Sequence, residues 1–292
     1  MAGVGTKITA ADYNAIQTKI SDVMTTGTGT YGYGQAINSG QVSTSLTATV
    51  TQWNNLRADL LRARQHQTGI DESSNLTVAT TSTKIIETIR AQYDTYADTV
   101  VSNRTVVPPT GQGSRITLSA LTRNSSWNTS ITHTVTLTFN SANEARWYFN
   151  AGGKVEFSAS IPNGTTGTKN NSWYVLLTNM GTISFLLAST FASGSGTGSS
   201  IGYSSLTSSN QLVFQKTTEA PTYNPNAYNI YARYGSSAAQ VIFTIQFNDS
   251  YAPGGYGIDE YVTGIVSSTV QGYYATGTNV SVAAPSVTAS FP

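Results

Sequence analysis

Apolar residues in the first third of the chain recur every three or four positions, which is the period of an α-helix. Tyr13 and Ile16 begin one such stripe, and Thr9 stands where the N-cap of that helix is expected. A further apolar stripe predicts another helix over residues 83–101. Residues 1–107 are therefore predicted to form a small helical region.

This helical region carries a short internal duplication. Tyr13-Asn14 recurs as Trp53-Asn54 at an offset of 40 residues (53 − 13 = 40), and the neighbouring residues keep the same spacing. The duplication predicts two related helix starts about a local twofold. Because helices joined by long Gly, Ser and Thr loops would have a thin core, we expect these four residues to pack against neighbouring subunits.

After a linker at residues 108–114, the pattern changes to an alternation of apolar and polar residues. Ile131, His133 and Val135 share one face of such a strand, so His133 is expected to be a core histidine with a hydrogen-bond partner. The predicted strands are 115–121, 130–139, 154–160, 174–177, 181–187, 211–216, 228–234, 240–248, 261–270 and 280–287. Short strands with Gly-, Asn- and Ser-rich turns predict a sandwich or jelly-roll-like domain over residues 115–292, and thus an α+β chain.

The stretch ARWYFNAGGKVEF, Ala145–Phe157, stands out within this region. Its pattern predicts a hairpin in which a strand ends in aromatic residues, turns at two glycines and continues as a second strand. One helical turn before the glycines is the alternative. We expect Phe149 and Phe157 to be buried, and Gly152 or Gly153 to adopt a positive φ.

Composition narrows the range of functions. Charged residues make up only 10% of the chain, and the net charge is +1, so no overall field attracts nucleic acid or an anionic membrane. No apolar run reaches the roughly 20 residues of a membrane span. The N-terminus lacks a signal-peptide pattern, so synthesis in a cytoplasm is expected. The basic residues of the second helix are expected to form a solvated face, with nucleic acid or an acidic protein as the alternative contact: Arg57, Arg62, Arg64 and His66.

Candidate chemistry is sparse. The chain has no cysteine, two distant histidines and 14 acidic residues. Asp249, Asp259 and Glu260 would suit a calcium site, but no known ligand spacing supports one, and turn capping is favoured. Asp249 and Glu260 are also the nearest pair for a glycosidase, without further support. With no nucleophile or metal motif, no catalytic, cofactor-binding or metal-binding residue is assigned, and the chain is predicted not to be an enzyme.

Several tyrosines lie near glycines in predicted loops, including Tyr203, Tyr251 and Tyr256. Loops rich in Tyr, Ser, Gly and Asn are typical of recognition surfaces. Subunit contact is the favoured interpretation of these loops, and contact with host-surface glycans is the alternative.

Several motifs resemble structural proteins of tailed bacteriophages, especially cyanophages and related marine phages. The similar segments are ITAADYNAIQTKI, YGYGQ and VTQWNNLRADL in the helical region, and ARWYFNAGGKVEFSAS and WYVLLTNMGTISF in the β region. The resemblance implies a virion protein of the neck, tail, baseplate or fibre attachment. Its helical part would anchor it to copies of itself or other virion proteins, and its β domain would project or oligomerise. A receptor- or glycan-binding fibre module and a capsid decoration protein are the alternatives, and no catalytic residues are implied.

Overall fold

The computed structural model describes residues 8–83, 85–224, 226–253 and 257–292. The chain divides into two compact units, and each unit draws on separated parts of the sequence. The helical unit extends to Ser114 and includes Arg146–Gly153 and Tyr274–Ala283. The β unit comprises Arg115–Ala145, Lys154–Tyr273 and Ala284–Pro292.

The helical unit contains α1 (Ala10–Met24), α2 (Val50–Thr68) and α3 (Glu87–Ser102). Capping boxes begin the first two helices, as the duplication predicts for related helix starts. The Thr9 backbone N–H donates to the Asp12 carboxylate at 2.8 Å, and the Thr49 backbone N–H donates to the Gln52 side chain at 2.7 Å. Gly69 ends α2 with φ +71°.

The duplication extends to a third copy that the sequence pattern did not reveal. Tyr93 follows Trp53 by the same 40 residues (93 − 53 = 40). The three rings form a buried row, with Tyr13 and Trp53 centroids 5.1 Å apart and Trp53 and Tyr93 centroids 5.3 Å apart. Both contacts are edge-to-face, which is a favourable aromatic geometry. The expected pair is therefore extended to a row of three aromatic rings at the spacing of the repeat, although α3 begins three residues earlier than this spacing would place it.

The β unit contains two five-stranded antiparallel sheets within the described residues. The strands are β1 (Gly113–Arg123), β2 (Ile131–Thr138), β3 (Lys154–Ser160), β4 (Ile183–Phe185), β5 (Thr190–Ala192), β6 (Gln211–Thr217), β7 (Ala227–Tyr234), β8 (Gln240–Asn248), β9 (Val266–Ala275) and β10 (Ser286–Ser290). The strand order is β1-β9-β3-β4-β5 in one sheet and β10-β2-β8-β7-β6 in the other. Phe243 of β8 connects the inner faces of the two sheets. Its ring lies 5.0 Å from that of Phe157 in β3 and 5.1 Å from that of Phe185 in β4, and both of these strands belong to the other sheet. The predicted α+β class with a β-sandwich is confirmed.

Two helices lie where the sequence predicted strands, one after β2 and one after β3. The first is α4 (Ala142–Asn150), so the expected hairpin is a helix, a turn and a strand. The second is α5 (Lys169–Met180), and the strand predicted at residues 174–177 is wrong. Its buried residues Trp173, Leu176, Leu177 and Met180 follow helical spacing, which a four-residue window cannot distinguish from an apolar strand.

The turn after α4 matches its prediction. Phe149 and Phe157 are both buried, and Gly152 has φ +81°. A Cβ atom at Gly152 would lie 2.0 Å from the Val106 carbonyl oxygen, and one at Gly153 would lie 2.2 Å from the Tyr148 carbonyl oxygen. Both glycines are therefore required by close backbone approach, and Gly152 also by its left-handed conformation.

Candidate functional site

The four residues of the duplicated motif lie inside the helical unit. Tyr13 and Trp53 are buried in its core. Asn14 exchanges two hydrogen bonds of 2.8 Å with the backbone of Val42, and Asn54 makes the equivalent pair with the backbone of Ala79 at 3.0 and 3.1 Å. Each Asn thus fixes the loop that follows its own helix. We therefore do not place these residues at a subunit interface.

Other residues of the same unit present apolar side chains to solvent. Leu46 is 62% exposed and Ile86 is 57% exposed, and they too are 40 residues apart (86 − 46 = 40). Each precedes one of the related helices, so the repeat places an exposed apolar side chain at the same position twice. Ile70 is 63% exposed on the loop after α2. Single exposed apolar residues are common on protein surfaces, but their recurrence at one position of a repeat is unusual and is consistent with a shared contact.

The basic residues of α2 do not form the expected solvated face. The Arg57 guanidinium donates to the carbonyl of Leu76 at 2.9 Å, and that of Arg64 pairs with the Glu72 carboxylate at 3.0 Å. His66 is fully buried, and its Nε2 atom lies 3.1 Å from the carbonyl oxygen of Ala151. Arg62 binds the carbonyl of Ala36. These side chains hold loops of their own chain.

In the β unit, a buried lysine gathers the acidic residues that the sequence singled out. Lys169 opens α5, and its fully buried ammonium donates to the Asp249 carboxylate at 2.9 Å and also binds Asp259. The Glu260 carboxylate accepts the Lys169 backbone N–H at 2.9 Å and the Tyr223 hydroxyl at 3.1 Å. Lys169 thus holds the connection between β8 and β9 against the first turn of α5, and Tyr223 of the β6–β7 connection joins the cluster through Glu260.

The electrostatics of this cluster oppose the calcium interpretation. The Lys169 ammonium occupies the position between Asp249 and Asp259 that a cation would take, and it donates hydrogen bonds to both. Within the part of the chain that the structure describes, no group of three or more metal-ligating side chains is present. Burial, and then the hydrogen bond to Glu260, raise the pKa of Tyr223 to about 12. Since Asp249 is buried, it is also unsuited to meet a substrate beside Glu260.

The tyrosines considered for glycan contact lie in different surroundings from one another. Tyr203 is buried, and its hydroxyl donates to the Ala238 carbonyl at 2.9 Å. Tyr251 is half-buried, with its ring 5.2 Å from the Lys169 ammonium and 5.1 Å from the Tyr223 ring. Tyr256 lies outside the described residues. Tyr203 and Tyr251 therefore support loops within the β unit.

His133 is a core histidine, as its strand position predicts. Its Nε2 atom lies 2.9 Å from the Ser119 hydroxyl, and its Nδ1 atom lies 2.8 Å from the Ser268 hydroxyl. Burial lowers the pKa of His133 to about 4, so the imidazole is neutral at pH 7. One hydroxyl donates to the ring and the other accepts from it, which links strands of both sheets.

Comparison with known proteins adds no relative. No protein family, no curated protein and no solved structure matches the chain. Among the described residues, none of the helices has the length and apolar character needed to cross a membrane.

Proposed function

We propose that this chain is a non-enzymatic structural component of a tailed-phage virion, in the neck, tail, baseplate or fibre attachment. Its helical unit anchors it to neighbouring subunits, and its β unit projects or oligomerises. The observation that carries the proposal is the pair Leu46 and Ile86, which exposes large apolar side chains at equivalent positions of an internal repeat. The resemblance of the helical segments to phage structural proteins supports the same assignment.

The geometry of the repeat explains how such an anchor would work. The rings of Tyr13 and Trp53 belong to the first turns of α1 and α2 and lie 5.1 Å apart, so these two helix starts are close together. Leu46 lies four residues before α2, Val50 begins α2 and is 38% exposed, and Ile86 directly precedes α3. Exposed apolar patches are typical of protein contact sites, and we assign this role to these three side chains. With charged residues at only 10%, long-range repulsion between identical chains is weak.

The assembly role is tested by the oligomeric state of the purified chain. Size-exclusion chromatography with light scattering should give a multimer for the wild type and a smaller species for Leu46→Ser/Ile86→Ser. Ile258→Ser is the comparison, because Ile258 is 90% exposed but lies in the β unit: an unchanged mass assigns the contact to the helical unit, and a smaller mass assigns it to the β unit. A wild-type chain that stays monomeric alone and with its particle proteins would refute the anchoring role.

The virion location is tested on particles of the phage that encodes the chain. After density-gradient purification, its peptides should co-sediment with intact particles at a constant ratio to a known tail protein. Gold-labelled antibodies against the β unit should then mark one position on the particle. Recovery of the protein only from the soluble fraction of the lysate would contradict the proposal.

A further inference from the structure

An open groove of about 580 Å³ lies in the β unit, beside the first turn of α5. Its volume is within the range of small-molecule sites. The loop before α5 forms one wall and residues 260–264 form the other. The side chains that bear on its chemistry are Asn163, Thr168, Asn170, Glu260, Tyr261 and Thr263.

Tyr261 presents its ring on this wall, with 58% of the residue exposed. Its backbone is nevertheless held on both sides. Val262 is buried and exchanges two backbone hydrogen bonds with Trp127, at 2.7 and 3.0 Å. The Thr263 N–H donates to the Asn170 side chain at 2.7 Å, and Glu260 accepts the Lys169 backbone N–H. An exposed aromatic ring on a fixed backbone is preorganised for stacking, because little further ordering is needed when a ligand binds.

The polar groups of the groove define the class of ligand. The described residues of the lining carry hydroxyl and amide side chains and one carboxylate, and they include no Lys or Arg. One oxygen of Glu260 accepts from Lys169 and Tyr223, whereas the other accepts no hydrogen bond among the described residues. An anionic ligand would be repelled by this carboxylate, and a wholly apolar ligand would leave the carboxylate without a donor.

We propose that this groove binds a neutral oligosaccharide. One sugar ring lies with its C–H face on the Tyr261 ring, and a sugar hydroxyl donates to the available oxygen of Glu260. The Asn163 side-chain NH2 and the Thr263 hydroxyl supply further hydrogen bonds along the groove, whereas the Thr168 hydroxyl is taken up by its bonds to Thr165 and Asn171. A sugar suits the site because it combines an apolar face with a rim of hydroxyl groups. This role is additional to virion assembly and does not depend on it.

The test uses the full chain and a panel of neutral oligosaccharides built from hexoses and N-acetylhexosamines, with sialylated and phosphorylated sugars for comparison. Saturation-transfer NMR identifies a binder, and calorimetry gives its affinity. Tyr261→Ala should weaken binding about tenfold or more, because the stacking contact is lost. Tyr261→Phe keeps the ring and should stay within about threefold of the wild type. Phe191→Ala is the matched control, since Phe191 is 52% exposed elsewhere in the β unit, and it should not change the affinity.

The outcomes separate this proposal from the assembly role. Binding that Tyr261→Ala weakens and Tyr261→Phe retains supports it, whatever the oligomeric state. Absence of binding to every neutral oligosaccharide of the panel overturns it, as does binding that Tyr261→Ala leaves unchanged. If Tyr261→Ala fails to fold, loss of binding in Asn163→Ala supports the groove, and unchanged binding in that variant overturns it. Preference for sialylated or phosphorylated sugars overturns the assignment of a neutral ligand.

Discussion

Gly152 is predicted to be the least replaceable glycine of the turn that follows α4. Its φ of +81° is left-handed, so an alanine there costs about 1–2 kcal/mol of folding free energy in backbone strain. The added Cβ would also lie 2.0 Å from the Val106 carbonyl oxygen and 2.9 Å from the Pro108 side chain. Relief of such an overlap costs about 1–3 kcal/mol more. Gly152→Ala should therefore lower the free energy of unfolding by about 2–5 kcal/mol.

Gly111 offers a matched control for the steric part of this cost. Its φ is +87°, but a Cβ atom there would meet no atom within 4 Å. Gly111→Ala should therefore lower the free energy of unfolding by only about 1–2 kcal/mol, from backbone strain alone. Urea denaturation of both variants, followed by circular dichroism at 222 nm, measures the difference. Equal losses in the two variants would show that the backbone relaxes around the new methyl group, and the steric argument would then be wrong.

Two further predictions concern buried ionisable groups. Lys169→Met should lower the free energy of unfolding by about 3–5 kcal/mol, because it leaves the Asp249 carboxylate buried without a counter-ion. In urea denaturation, the double variant Lys169→Met/Asp249→Asn should regain part of this stability. A double variant as unstable as Lys169→Met would contradict the pairing. Stability should also fall between pH 6.5 and 4, because burial lowers the pKa of both His66 and His133 to about 4, so the unfolded chain binds more protons in this window. The loss should approach about 3 kcal/mol per histidine at pH 4, and thermal unfolding of His133→Gln should be less sensitive to pH than that of the wild type.

Local patterns predicted much of the helical unit, because capping and helical periodicity depend on residues close in sequence. Thr9 and Gly69 mark helix ends as their residue types indicate. The sequence pattern does not reveal the third copy of the repeat, because Asp94 replaces the asparagine and no side chain caps the N-terminus of α3. Its equivalent ring, Tyr93, is recognisable only through its contact with Trp53.

The candidate sites were harder to predict, because exposure and charge pairing are properties of the folded chain. Asp249 and Asp259 stood out as acidic residues, yet the partner that defines them, Lys169, is 80 residues from Asp249 in sequence. No sequence pattern distinguishes Tyr261 from the other tyrosines of the chain. Its significance comes from the bridge between Val262 and Trp127, which fixes the wall of the groove.

By itself the sequence determined the α+β class, the helix caps, the related helix starts and the requirement for glycine after α4. These features depend on local backbone geometry and on the spacing of apolar residues. Only the tertiary structure decided that α4 and α5 are helices within a β region, that Tyr13 and Trp53 belong to the core, and that Leu46 and Ile86 are exposed. Burial is set by contacts between distant segments, and a short apolar run carries no record of which face those contacts will cover.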